Sequence, residues 1–136
     1  MLGAGAPASA PHTAEVTVKI TGLRSSEGVV RACMTTDPER FPACRGAPRA
    51  YSATVAADET LTLTFHGVVP GRYAIALLHD ENRNGKADRA LGLMPKEGFG
   101  FSRDAKVRLG PPSFDDAAFD VDGRASTQAI HMRYLL

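Results

Sequence analysis

Tryptophan is absent from the 136-residue chain, and six Phe and three Tyr are its only aromatic residues. Long apolar runs are missing too, since no stretch approaches the roughly 18 to 20 residues that a bilayer-crossing helix needs. No membrane span is expected. Charge of one sign is also lacking, because sixteen Lys and Arg stand against fifteen Asp and Glu. Without a net field, long-range recruitment of nucleic acid or of an anionic membrane is not expected. Recognisable catalytic sets are missing as well. There is no Gly-x-Ser-x-Gly turn, and His12, His66, His79 and His131 are scattered, with only His79 beside a segment of interest. A lone histidine at a strand end reads as a satisfied partner rather than a ligand. No enzyme is expected.

What is plentiful is glycine and proline, thirteen and nine residues, a composition that suits many short strands joined by tight turns. The length fits a single core. One domain is therefore expected over residues 14–136, preceded by a tail over residues 1–13. Met1 to Ala10 carry no charged side chain and end in Ala8-Ser9-Ala10, the small-x-small pattern at which export signals are cleaved. This reads as the remnant of a signal peptide and places the chain in the periplasm or outside the cell. Cys33 and Cys44 agree with that address, since an oxidising compartment lets them pair and close a short loop, worth roughly 3 kcal/mol in the chain-entropy picture. Free buried thiols and a redox pair are the alternatives, and the spacing is far from Cys-x-x-Cys.

Alternation carries most of the fold. Val16, Val18 and Ile20 alternate with Glu15, Thr17, Lys19 and Thr21, the period of a strand buried on one face. Val29 to Met34 reads as its neighbour, Thr35 to Pro48 as an irregular loop, and Tyr51 to Ala56 as a third strand. Leu61, Leu63 and Phe65 alternate with threonines. Pro70-Gly71 then marks a tight turn before Tyr73, Ile75 and Leu77. Because Ala74, Ala76 and Leu78 are apolar as well, that strand is expected to be covered on both faces. From His79 to Gly100 the pattern breaks into a long polar, glycine-rich connection, the kind that is functional or pinned by something. Short strands are expected at Val107 to Leu109 and at Phe119 to Val121, with a last long one from Thr127 to Leu136. Ser113 is placed to cap one helical turn containing Asp115 and Asp116. The sum is an all-β chain, an antiparallel Greek-key sandwich of seven to eight strands.

Within the long connection, Asp80, Asn82, Asn84 and Asp88 stand at positions 1, 3, 5 and 9 of a loop with Gly85 at position 6 and the Lys86 carbonyl at 7. Alternate side chains of a chain wrapping a hard cation turn inward, so this spacing suits calcium. Leu91 stands where an EF-hand would have its bidentate Glu, and the flanks are not helical. An occupied site is therefore expected to be weak, near roughly 10⁻⁴ to 10⁻³ M. The competing interpretation is a turn whose Asx side chains bond their own backbone.

Phe65-His66-Gly67-Val68-Val69-Pro70-Gly71-Arg72-Tyr73-Ala74-Ile75 is followed by the His79 to Asp88 run, by Leu91 to Ser102 and by Pro112 to Phe119. In combination these segments resemble an uncharacterised bacterial family of exported proteins, a domain of unknown function, over roughly residues 14–136. The Pro-Gly-x-Tyr turn alone is similar to transthyretin-like and carboxypeptidase-regulatory-like sandwiches. The resemblance implies a periplasmic or secreted β-sandwich with no assigned activity. Arg103 stands where the family pattern has Asn.

Function is thus expected to be non-enzymatic. A calcium ion would order the long loop for contact with a protein or envelope component, on a chain expected to be monomeric. Glu97, Phe99, Phe101, Asp115 and Asp116 are the candidate ligand or partner surface. The alternative is a small-molecule or carbohydrate binding module without metal.

Overall fold

The computed structural model describes residues 12–44, 50–81, 89–90, 94–95, 98–107 and 110–134. Its strands form two main sheets. The first has three strands in the order β10-β1-β4, where β1 is Ala14–Thr21, β4 is Leu61–Val68 and β10 is Ser126–His131. The second runs in the order β3-β2-β5-β8, with β2 at Val29–Thr35, β3 at Tyr51–Ala56, β5 at Gly71–Asp80 and β8 at Gly98–Phe101. A short strand β9, Phe119–Val121, pairs with the first residues of β5. β6 (Arg89–Ala90) and β7 (Met94–Pro95) make a small ladder of their own.

The period-2 pattern decides which side chains meet between the sheets. From the first sheet come Val16, Val18, Ile20, Leu63, Phe65 and Ile130; from the second come Val30, Ala32, Met34, Tyr73, Ile75 and Leu77. Burying each larger member stabilises the fold by about 1.5 to 3 kcal/mol relative to leaving it in water. β10 lies parallel to β1, Val18 opposite Gln128 and Ile20 opposite Ile130, whereas the other pairings among the described residues are antiparallel. At the turn into β5 the Tyr73 hydroxyl donates back to the Val69 carbonyl at 2.7 Å, and the Val69 N–H reaches the Tyr51 hydroxyl at 3.2 Å. The Pro-Gly-x-Tyr sequence is thus a turn locked by its own tyrosine.

A second, smaller core covers the outer face of the five-stranded sheet. Ala74 from β5, with Phe99 and Phe101 from β8, packs against Phe41, Phe114, Ala117 and Ala118. The one-turn helix α1, Phe114–Ala117, is capped as its sequence foretells, the Ser113 Oγ accepting from the Asp116 N–H. Ser102, fully buried, accepts the Ile75 N–H and donates to the Ala117 carbonyl, joining α1 to β5. The disulfide between Cys33 and Cys44 forms.

Three expectations change. Gly98 to Phe101 is a strand rather than part of a loop, and its two faces differ. The phenylalanines lie in the outer core, while Gly100 faces Ile130 and Met132 so closely that an added Cβ would sit 2.7 Å from the Ile130 side chain. Val107 lies in no strand, and residues 108–109 are outside the described residues. The last strand stops at His131, after which the chain crosses to the other sheet and Arg133 bridges to Phe99. That crossing is held by Asp104. Its carboxylate accepts from Nη1 and Nη2 of Arg133, each at 3.1 Å, and from the His131 N–H at 3.1 Å. Burial pushes the Asp104 carboxyl up, but the Arg133 and His131 bonds outweigh it and leave it lowered.

Candidate functional site

β5 ends where the long connection begins, and alternation along β5 puts His79 on the inner face with Tyr73, Ile75 and Leu77. The ring is fully buried. A buried imidazole is tolerated only with both nitrogens bonded. Nε2 lies 2.8 Å from the Glu27 backbone carbonyl, which only accepts, so Nε2 carries the proton. Nδ1 then accepts from the Tyr134 hydroxyl at 2.7 Å, and that hydroxyl in turn accepts the Arg24 N–H at 3.1 Å. One ring joins the loop between β1 and β2, the end of β5 and the C-terminal crossing.

The next residues extend the cluster to the surface. Glu81 receives Arg24 Nη2 at 2.6 Å on one carboxylate oxygen and the Ser25 hydroxyl at 2.7 Å on the other. The Arg24 guanidinium also lies over the Tyr134 ring, 4.6 Å from its centroid, where the negative face of the ring attracts it. The Arg24 hydrogen bond chiefly lowers the Glu81 carboxyl below its ordinary range, against a smaller opposing effect of burial. Burial is the main cause that raises the Tyr134 hydroxyl. Beneath them Gly28, at φ +73°, touches the backbone of Asp80 and Glu81, so that any Cβ there would collide with main chain. Tyr134 covers Gly98 in the same way, and its ring occupies the place of a side chain at that position.

The roots of the connection over residues 82–97 are therefore both clamped. They also lie side by side, since His79 pairs with Gly98 and Leu78 with Phe99. Chemically, each of these groups is engaged by a neighbour. The histidine has used both nitrogens, the serine hydroxyl is donated to a carboxylate, and two arginines neutralise Glu81 and Asp80.

Asp80 takes a role the loop spacing does not foretell. Its side chain is fully buried and accepts Arg31 Nε at 2.8 Å, a pair formed across the outer face of β2 and β5. Asn82, Asn84, Lys86, Asp88 and Glu97 lie outside the described residues. Among the described residues no three His, Cys, Asp or Glu side chains gather as a metal would require. Phe99 and Phe101, expected on a partner surface, are only 6% and 5% exposed, because they fill the outer core. Asp115 and Asp116 are exposed, with Asp115 paired to Arg72 at 3.0 Å. Sequence inspection passed over Arg24, Ser25, Arg31, Glu81 and Tyr134. Arg31 carried a usable signal, since a charged side chain on a strand with neighbours on both sides needs a counter-charge nearby.

The profile of a family described as "Uncharacterized protein conserved in bacteria (DUF2141)" matches residues 18–129. No curated protein and no solved structure matches the chain.

Tyr134→Phe removes the donor to a buried nitrogen, so it should lower unfolding stability by about 1 to 3 kcal/mol, read from the urea midpoint. An unchanged midpoint contradicts the geometry. Glu81→Gln tests the surface half of the clamp through pH. A carboxyl lowered in the folded state stabilises above its unfolded pKa, and that stabilisation is lost as pH falls through the folded pKa. Wild type should therefore exceed Glu81→Gln by about 0.5 to 1 kcal/mol at neutral pH, and the gap should close in acid below the ordinary Glu range.

Proposed function

The chain belongs to this bacterial family, and from that premise we propose that it is a non-enzymatic exported β-sandwich that holds out the 82–97 connection for contact with a protein or envelope partner. The observation that carries this is the double clamp: Glu81 held by Arg24 and Ser25 at one root, Gly98 held under Tyr134 at the other. A sixteen-residue excursion between adjacent antiparallel strands is far longer than a hairpin needs. Export accords with the Cys33–Cys44 bond and with the Ala8-Ser9-Ala10 pattern. No helix among the described residues is long and apolar enough to cross a membrane.

Calcium enters as the ion that the oxygen-bearing run Asn82, Asn84, Lys86 carbonyl and Asp88 would take. Asp80, paired with Arg31, would serve as support for that site rather than as ligand. Oxygen donors with so little charge favour weak binding, in the range of roughly 10⁻⁴ to 10⁻³ M.

Titration of calcium against the intact chain, followed by calorimetry with a chelator control, should give saturable binding that Asp88→Asn abolishes. Asp80→Asn should keep the binding while losing thermal stability with and without calcium. Absence of binding in wild type overturns the calcium assignment. The partner is tested separately by replacing residues 82–97 with an Asn-Gly turn. Crosslinking in envelope extract should yield an adduct with wild type and none with the shortened chain; an adduct that survives the replacement contradicts the proposal.

A further inference from the structure

The segment between β2 and Cys44 lies over the outer core, and its attachments are of an unusual kind. Its backbone bonds to itself, Phe41 N–H to the Asp37 carbonyl and the N–H groups of Ala43 and Cys44 to the Arg40 carbonyl, and at its root the Asp37 N–H donates to the Thr35 hydroxyl of β2 at 3.0 Å. Its side chains also serve itself, with Asp37 accepting the Glu39 N–H at 2.9 Å and pairing with Arg40 at 3.2 Å. Two of the links that bind it to the sandwich stand out among the described residues. One is the Phe41 ring, 9% exposed, set edge-on against Phe101 at 5.8 Å and Phe114 at 6.1 Å between centroids. The other is the disulfide.

β2 does not need that disulfide. Cys33 lies between Ser52 of β3 and Ala76 of β5, within continuous ladders on both sides, while Val30, Ala32 and Met34 fill the inner core. The Cys33 side chain faces the opposite way, on the outer face with Arg31, and is partly open to solvent. We propose that residues 36–44 form a redox-released strap: reduction of the Cys33–Cys44 bond frees the segment and uncovers Phe101 and Phe114, while the sandwich stays folded.

The chemistry balances with a dithiol as reductant. One thiolate of the dithiol attacks a sulfur of the protein disulfide and displaces the other as a thiolate. The second thiol then resolves the mixed disulfide, leaving the reductant oxidised to its own disulfide and the protein with two thiols. Once the covalent tie is gone, the Phe41 ring and the segment's other non-covalent contacts must hold nine residues against the conformational freedom they regain. The seven strands of these ladders, β1 to β5 with β8 and β10, lose no bond in the step. The redox state of one bond thereby decides whether an aromatic face is covered.

The test uses the full chain, oxidised or treated with dithiothreitol without denaturant. Free thiols are counted by colorimetric titration, and amide hydrogen exchange is followed by mass spectrometry. Two thiols should appear, and exchange over residues 36–44 should quicken by about tenfold or more as a local opening, while β1, β4 and β5 keep their protection. Binding of the dye ANS should rise with the thiol count. The Cys33→Ser/Cys44→Ser double variant should reproduce the open pattern without reductant; if it does not fold, the reduced wild type still decides. Failure of the native protein to yield thiols, unchanged exchange over residues 36–44 after reduction, or equal loss of protection in every strand overturns the proposal.

Discussion

An imidazole buried away from solvent must find a partner for each ring nitrogen, and the structure is organised around how His79 finds them. The acceptor is the Glu27 carbonyl and the donor is the Tyr134 hydroxyl. Since those groups come from the loop after β1 and from the chain beyond β10, the end of β5 cannot be completed until both ends of the molecule have arrived. The rest of the cluster follows from this meeting. Tyr134, once placed, covers Gly98 and offers its ring to Arg24, and Arg24 then reaches Glu81. A polar cluster satisfied in this way specifies one arrangement where apolar contacts alone would tolerate several.

The two faces of the five-stranded sheet are used differently. Toward the three-stranded sheet it builds the main core from β-branched residues, leucines and two tyrosines; on its other face a handful of phenylalanines and alanines is roofed by α1 and by the disulfide-bound segment. β8 serves both. With glycine at alternate positions it lets Ile130, Met132 and Tyr134 approach on one side, while Phe99 and Phe101 fill the other. The connection over residues 82–97 thus returns into a strand buried on both faces.

Much of this was legible where a single strand carries its own signal. Val16, Val18 and Ile20, then Leu61, Leu63 and Phe65, then Tyr73, Ile75 and Leu77 all alternate, and all point into the core or pack against it. Ser113 capped its helical turn as its type and position require. The illegible parts depend on partners far away in the chain. Gly98 to Phe101 has weak strand propensity, and only the surfaces of Tyr134, Ile130 and Phe41 make its alternation useful. Asp80 reads as a cation ligand from its loop spacing, and nothing local announces that Arg31, separated from it by forty-nine residues, pairs with one of its carboxylate oxygens. The parallel pairing of β1 with β10 joins opposite ends of the sequence, and no local pattern announces it.

The most direct measurement of the central constraint is the ¹⁵N spectrum of the His79 ring at pH 8, assigned against His79→Gln. The structure requires a single neutral tautomer with the proton on Nε2, slow to exchange with water, and an Nδ1 shift typical of a hydrogen-bond acceptor. A proton on Nδ1, or a ring that samples both tautomers in rapid exchange with solvent, would contradict it.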